Sequence, residues 1–397
     1  MDMKERVQSA IEGHRPEESS GIVNLMHSLR MGLGAKGSSE LALDGLSAEE
    51  IRGYRQVLLI VVDGLGSAQL SALSPEGVLA RSQRATLSSV FPSTTATAVT
   101  SFLTGCFPIE HGLTGWHMYF RELGTVLAVL PGKPRYGGVP WDASGMDVGR
   151  LLGLTPFVNG ISVASRLVSP RAIADSPFNR ALRGRSKVEG FRGRQDFFSK
   201  IRQGISQSTQ RCYHYAYWSD FDHIAHEKGA FGTEAQAELL AFEQGLEDFL
   251  ETIRGSSTLV IVTADHGFID HDPERVTDLN DYPEIRESLI LPLSGESRAA
   301  YAYVRSGHES GFERRVETLI GDRVTLHRSA DLVAEGWFGK GRPHPEFFNR
   351  IGDYVLIPKG LGLVRDRIFE EKKATMVGYH GGVHPAEMQV PLVVIPV

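Results

Sequence analysis

VLLIVVDG, residues 57–64, places an unbroken run of apolar, mostly β-branched side chains directly before an aspartate. Such a run is typical of a strand that is buried on both faces, as in a parallel sheet covered by helices. Asp63 then stands at the carboxyl end of the strand, where open α/β sheets bind their ligands. The stretch therefore predicts an α/β fold with a site at that edge of the sheet.

The next segment outward, FPSTTATAVTSFLTG over 91–105, predicts a helix that starts among small hydroxyl residues and ends at Gly105. Thr95 stands where the helix begins, beside unpaired N–H groups and the positive end of the helix dipole. That position suits a phosphoryl group, which the hydroxyl could also attack. Taken alone, the pattern favours an ordinary N-cap threonine, and Thr94 and Thr97 compete with Thr95 as the nucleophile.

Two further strand-like runs, 213–218 and 258–263, lead into acidic and histidine side chains. The first run is followed by an aspartate and a histidine four residues apart, which face the same way on a helical turn. The second is followed by an adjacent pair. The side chains concerned are Asp222 and His226, then Asp265 and His266. Strands alternating with helical patterns in this way imply a mostly parallel sheet flanked by helices.

Carboxylate and imidazole groups thus collect at the predicted strand ends, without any thiolate. His380 and His384 add imidazoles from a Gly/His-rich segment before the last apolar run. Each of these residues taken singly is more typical of an ordinary turn or loop. As a set they suit zinc, or manganese, at a catalytic rather than a structural site.

The composition of the chain restricts the kinds of binding partner and the cellular compartment that we expect. The net charge of -6 and the pI near 6.2 argue against a nucleic-acid polymer or an anionic membrane as partner. Two cysteines suit a reducing compartment. We find neither a secretory signal nor an apolar run of about 18 residues, and we expect a cytoplasmic protein. The basic cluster over 180–194 fits a solvated surface or a lip that attracts an anionic substrate.

The length of 397 residues allows more than one domain. We expect a catalytic α/β core over residues 1–284 that resumes over 351–397. Between them, residues 285–350 carry strand and helix patterns but no candidate site residue. This segment is therefore predicted to be a small inserted subdomain.

In combination these motifs resemble the alkaline phosphatase superfamily, and most closely its type I phosphodiesterase/nucleotide pyrophosphatase branch and the related phosphonoacetate hydrolases. The resemblance implies an alkaline-phosphatase-like fold over nearly the whole chain. The matching motifs follow the family's order: VVDG at 61–64, PSTT and LTG within 92–105, HG at 111–112, D-x-x-x-H at 222–226, ADHG at 264–267, and HGG with a later VP within 380–391.

The resemblance also implies two divalent metal ions, of zinc or manganese. One ion would be held by Asp63, Thr95, Asp265 and His266, and the other by Asp222, His226 and His380. The family's spacing selects Thr95 among the three threonines. His380 is preferred over His384 because the family's ligand opens the HGG, and because a proline after His384 suggests a turn.

The implied activity is metal-dependent hydrolysis of phosphodiester or nucleotide pyrophosphate bonds in a small phosphate ester, such as a nucleotide. Thr95 would displace the leaving group and form a phosphothreonine intermediate, which water hydrolyses in a second in-line step. The alternatives are a phosphonoacetate-type phosphonate hydrolase, a phosphomonoesterase of the same superfamily, and a catalytically silent binding module.

One position departs from the family. Nucleotide pyrophosphatases supply an asparagine that donates to the phosphoryl oxygen, whereas this sequence has Trp116 at that position, followed by His117. The backbone N–H of Thr95 and His117 are candidates for the missing donor. Trp116 would stack on a nucleobase or an aryl leaving group, or serve only in packing.

Overall fold

The computed structural model of the protein describes residues 14–17, 19–35, 41–141, 143–368, 371 and 376–397. The strands are, in chain order, β1 (Gln56–Val62), β2 (Gln83–Ser88), β3 (His117–Phe120), β4 (Thr125–Ala128), β5 (Lys133–Pro134), β6 (Ala164–Pro170), β7 (Lys187–Phe191), β8 (Cys212–Trp218), β9 (Thr258–Thr263), β10 (Ile269–Asp270), β11 (Val276–Asp278), β12 (Ser294–Glu296), β13 (Ala299–Ala302), β14 (Val324–Arg328), β15 (Tyr354–Pro358), β16 (Leu363–Arg365), β17 (Gly378–Tyr379) and β18 (Gln389–Pro396).

The helices in the described part of the chain are α1 (Ile22–Gly32), α2 (Ala48–Arg52), α3 (Ser67–Leu73), α4 (Val78–Arg81), α5 (Thr95–Thr104), α6 (Pro108–His111), α7 (Val148–Leu152), α8 (Pro177–Leu182), α9 (Gly193–Gln207), α10 (Asp220–Lys228), α11 (Thr233–Thr252), α12 (Pro283–Arg286), α13 (Glu309–Ile320), α14 (Ser329–Ala334), α15 (Phe347–Arg350) and α16 (Pro385–Met388). Short 3-10 helices cover Arg121–Leu123, Phe157–Gly160, Pro273–Arg275 and Leu279–Asp281. Within these residues no helix is at once long and apolar enough to cross a lipid bilayer.

The central sheet has the strand order β2-β18-β9-β1-β8-β6-β7. From β9 to β7 the strands run parallel, and β18 runs antiparallel between β9 and β2. All seven residues of β1 are buried, so further layers of the fold cover both faces of the sheet at its centre. The predicted α/β fold with a mostly parallel sheet is confirmed.

The register of the central strands explains where a site can form. Val62 at the end of β1 pairs with Trp218 at the end of β8, and Val61 pairs with Thr263 at the end of β9. The three strands therefore end at one edge of the sheet. The residues that follow them are brought together although they come from distant parts of the sequence.

A second sheet has the order β14-β15-β13-β12-β3-β4-β5, and its neighbouring strands are antiparallel. It takes strands from 117–134 as well as from 294–358, so residues 285–350 share it with the chain on either side. Tyr301 and Trp337 belong to the same hydrophobic cluster as β1. The division into a core and an inserted subdomain remains a prediction.

Candidate active site

The hydroxyl of Thr95 lies at the start of α5, which ends before Gly105 in the left-handed conformation (φ 72°). Thr95 Oγ1 is 3.0 Å from Nε2 of His266 and 3.4 Å from Oδ1 of Asp63. The hydroxyl of Thr97 is buried without a hydrogen-bond partner among the described residues, and that of Thr94 lies toward Glu296. Of the three threonines, Thr95 is the one whose hydroxyl lies against candidate metal ligands.

Asp63, Asp265 and His266 form a first cluster, with one ligand atom from each within 4.8 Å of the others. His266 donates through Nδ1 to the carbonyl of Gly267 at 3.1 Å, so its Nε2 carries a lone pair. That lone pair faces Oδ1 of Asp63 at 3.4 Å and Oδ2 of Asp265 at 3.6 Å. These three ligand atoms converge on one point, where a bound cation would compensate the charge of the two carboxylates.

Asp222, His226 and His380 form a second cluster beside the first. The Nδ1 atoms of the two histidines donate to the carbonyls of Gly378, at 2.9 Å, and Ser93, at 3.3 Å. Their Nε2 atoms are therefore the ones left to bind a ligand, and they lie 3.2 Å apart. Oδ1 of Asp222 lies 3.5 and 3.8 Å from them and has no hydrogen-bond partner among the described residues. Two imidazole nitrogens and a carboxyl oxygen that converge in this way suit a divalent cation.

The pKa values of these groups support the same conclusion. Burial, reinforced by the charge of Asp63, raises the pKa of Asp222 to about 8, and burial raises the pKa of Asp265 to about 7. Burial lowers the pKa of His266 to about 4 and that of His380 well below its usual range. His266 and His380 are thus neutral and ready to ligate. The carboxylates resist ionisation until positive charge enters, and the set fits divalent cations.

Two cavities meet at this site, with volumes of about 580 and 920 Å³. Thr95, Trp116 and Asp222 line both of them. The smaller cavity extends over the second sheet. The larger cavity is lined by residues within 169–180 and by residues at the ends of the central strands. A substrate held at Thr95 therefore has room for a substituent on either side.

Trp116 and His117 both lie at the smaller cavity. The backbone N–H of Trp116 donates to Oε1 of Glu296 at 2.6 Å, and the residue is 37% exposed. Burial and the nearby Arg135 lower the pKa of His117 to about 4, so this imidazole is neutral. The indole is free to contact a substrate, and its role in stacking stays a prediction.

The remaining candidates have other partners. His384 accepts from the N–H of Ala386 through Nδ1 at 3.2 Å and so caps α16, outside both ligand clusters. In the basic stretch, Arg180 and Arg183 both pair with Asp175. Arg180 also lines the larger cavity.

Sequence reasoning missed three residues at the site. Tyr217 donates its hydroxyl to Oδ2 of Asp63, and its place in an alternating strand that ends beside β1 could have revealed it. Glu296 and Arg365 line the smaller cavity. They come from the second sheet and from β16, and no local pattern marks them.

The comparisons with known proteins identify the family and the fold. The type I phosphodiesterase / nucleotide pyrophosphatase family matches residues 57–382. No curated protein matches the chain in sequence. Among solved structures, murine ectonucleotide pyrophosphatase / phosphodiesterase 5 is 16% identical with a TM-score of 0.64, covering 85% of this chain and 87% of that one. An inactive form of that protein was solved with AMP.

A bacterial structure is similar to the same extent. Phosphonoacetate hydrolase from Sinorhizobium meliloti 1021 has a TM-score of 0.60 and 18% identity, covering 86% of this chain and 90% of that one. It was solved in complexes with phosphonoformate and with phosphonoacetate. At these identities the two similarities establish the shared fold.

Proposed function

The chain belongs to the type I phosphodiesterase / nucleotide pyrophosphatase family, and on that premise we propose that it hydrolyses phosphodiester or nucleotide pyrophosphate bonds with two divalent cations. Thr95 is the nucleophile in this proposal. One observation carries it: Oγ1 of Thr95 points at Nε2 of His266 and Oδ1 of Asp63, while Thr94 and Thr97 do not. The hydroxyl is thus the one group in the sequence PSTT that a bound cation would reach.

The two clusters supply the ligands. One cation would be held by Asp63, Asp265, His266 and Thr95, and the second by Asp222, His226 and His380. Zinc suits these nitrogen and oxygen donors, and manganese is the alternative. When bound, such ions lower the pKa of the threonine hydroxyl and neutralise charge on the phosphoryl oxygens.

The residues of the chain then perform two displacements. The Thr95 oxygen attacks phosphorus opposite the leaving group and forms a threonine phosphoester. Water attacks the same phosphorus in the second step and releases Thr95. Asp63 and His266 hold the hydroxyl in place, and the N-terminus of α5 offers N–H groups that have no intrahelical partner. Those N–H groups are the proposed substitute for the family's asparagine.

The substrate is proposed to be a small phosphate ester such as a nucleotide. The exposed Trp116 beside Thr95 supports this, because an indole stacks well on a base or aryl group, and the solved AMP complex of the murine protein agrees with it. Phosphonate hydrolysis is the second candidate, favoured by the fold shared with phosphonoacetate hydrolase. Relative rates on a diester, a monoester and phosphonoacetate will rank these activities.

Substitution of the nucleophile tests the proposal. With zinc or manganese added, Thr95→Ala should reduce kcat/KM for an aryl phosphodiester by at least about 10³-fold, because neither of the competing threonine hydroxyls, Thr94 and Thr97, lies against the ligands. Thr97→Val is the matched control, since its hydroxyl is buried and unpartnered, and it should stay within about twofold of wild type. Equal activity of wild type and Thr95→Ala would refute the assignment.

Metal content separates an enzyme from a catalytically silent relative. Purified protein loaded with zinc and passed through a desalting column should retain about two equivalents, as expected for a two-ion site. Retention of less than about one equivalent would favour the silent binding module. The same measurement on Asp222→Asn should show the loss of one ion, because only the second cluster is changed.

A further inference from the structure

The smaller cavity beside Thr95 carries three arginines on its wall: Arg135, Arg365 and Arg367. Guanidinium groups in a cavity that holds a phosphoryl site are natural partners for oxyanions. Whether each is available depends on what already binds its N–H groups. The three differ sharply in this respect.

Arg135 and Arg367 are already neutralised. Arg135 forms a bidentate pair with Glu371 at 2.8 and 2.9 Å, and it also donates to the carbonyls of Leu293 and Asp366. Arg367 donates to Oδ2 of Asp278 at 2.8 Å. Both guanidiniums are held by carboxylates of the protein itself, so neither has a free charge to offer.

Arg365 is different. Its guanidinium donates to the hydroxyl of Tyr379 at 2.5 Å and lies 5.3 Å from the centre of that ring. It makes no ion pair with any carboxylate in the part of the chain that the structure describes. A guanidinium has five N–H donors, and the phenol accepts from one nitrogen. The other donors and the full positive charge remain available at the cavity wall.

Tyr379 also fixes where that charge stands. The residue directly precedes the candidate ligand His380, and its ring lies 6.4 Å from the ring of His226. Arg365 and Tyr379 thus line the same cavity as His226 and His380 of the second ligand cluster. A ligand whose phosphorus lies at Thr95 can extend along the cavity toward Arg365.

We propose that Arg365 binds a second oxyanion of the substrate, a phosphate or a carboxylate, linked to the phosphorus that Thr95 attacks. The inference rests on the proposed function and narrows its substrate class to small phosphoesters, pyrophosphates or phosphonates with an additional anionic group. It makes Arg365 a specificity-determining residue. Arg367, two positions further on and paired with Asp278, is its natural control.

A pair of substrates tests this in the zinc-loaded enzyme. Phenyl 4-nitrophenyl phosphate and its 4-carboxyphenyl analogue release the same nitrophenolate and differ by one carboxylate. Arg365→Gln should lower kcat/KM for the carboxylated ester by about tenfold or more, mainly through KM, and leave the ester without the carboxylate within about twofold. Arg367→Gln should change neither. An equal loss on both esters, or no loss, would overturn the proposal.

A binding measurement tests the role of Arg365 even if the enzyme hydrolyses neither ester. Failure to hydrolyse either ester would count against the proposed function alone. In zinc-loaded Thr95→Ala protein, calorimetry should show pyrophosphate binding weakened about tenfold by Arg365→Gln, with orthophosphate unchanged. The same comparison of phosphonoacetate with methylphosphonate tests a carboxylate as the second oxyanion. The ligand pair in which Arg365→Gln causes the larger loss of affinity identifies the second oxyanion. If Arg365→Gln affects neither pyrophosphate nor phosphonoacetate selectively, the residue does not bind a second anion.

Discussion

Thr95 owes its candidate role to its neighbours rather than to its residue type. Its hydroxyl is 3.0 Å from a neutral imidazole nitrogen and 3.4 Å from a carboxylate oxygen, whereas Thr97, on the same helix, has a buried and unpartnered hydroxyl. A threonine hydroxyl is a weak nucleophile at neutral pH unless a base or a cation activates it. The role of Thr95 therefore depends on the residues that orient the candidate metal ligands beside its hydroxyl.

Tyr217 is the first test at this scale. Its hydroxyl donates to Oδ2 of Asp63 and leaves Oδ1 facing Thr95. Tyr217→Phe should therefore weaken zinc binding by about 10- to 100-fold, the usual cost of removing a partner of a metal ligand. Tyr213→Phe is the matched control, because that buried hydroxyl has no partner among the described residues. Competition titration with a zinc chelator measures both, and equal affinities for the two variants would contradict the assigned role.

The dependence of zinc affinity on pH is the second test. Burial raises the pKa of Asp222 to about 8 and that of Asp265 to about 7, so the metal-free protein carries protons there at neutral pH. Zinc must displace them, and the apparent affinity should fall as the pH is lowered from 9 to 6, with proton release that grows over the same range. Calorimetry in buffers of different ionisation enthalpy measures this release. An affinity that does not vary between pH 6 and 9 would show that these carboxyls are not ligands.

At the scale of elements, the site depends on a buried ion pair that joins the second sheet to the last ligand loop. Arg298 pairs with Glu387 at 2.8 Å, and both side chains are almost fully buried. Glu387 also accepts from the N–H groups of Gly382, at 2.9 Å, and His384, at 3.2 Å. The pair therefore holds the loop that presents His380.

Removal of this arginine should have two effects. Arg298→Met leaves a buried carboxylate without its partner, so the free energy of unfolding should fall by about 3–5 kcal/mol, and zinc affinity should fall because the loop with His380 loosens. Arg254→Met is the control, since its pair with Glu251 is exposed and exposed pairs contribute about 0–1 kcal/mol. Urea unfolding measures both. A loss no larger than that of the control would contradict the importance of the pair.

For the whole molecule, the sequence predicts most of the central sheet and brings out the candidate ligands. Asp63, Asp265 and His266 follow apolar runs that read as buried strands, and neighbouring parallel strands bring their ends together. Such local signals need no knowledge of long-range pairing. The structure brings the six acids and imidazoles of the predicted ligand set into two clusters, and Thr95 lies against two members of the first, Asp63 and His266.

The second sheet and the cavity residues that it supplies depend on strand pairings between distant parts of the chain, and no local sequence pattern shows these pairings. The second sheet pairs Gly295 with His117, nearly 180 positions apart, and this brings Glu296 against Trp116. Arg365 reaches the cavity from β16 in the same way. Residues 285–350 show strand and helix patterns in sequence, but their patterns do not say that they share a sheet with residues 117–134.

The stereochemistry of hydrolysis tests the central claim, covalent catalysis by Thr95, most directly. A nucleoside phosphorothioate diester of one configuration at phosphorus, hydrolysed in ¹⁸O-labelled water by the zinc-loaded enzyme, gives a product of defined chirality. Displacement by Thr95 and then by water inverts the phosphorus twice, so the account predicts net retention. Net inversion would mean that water attacks the substrate in a single step, and it would contradict the nucleophilic role of Thr95.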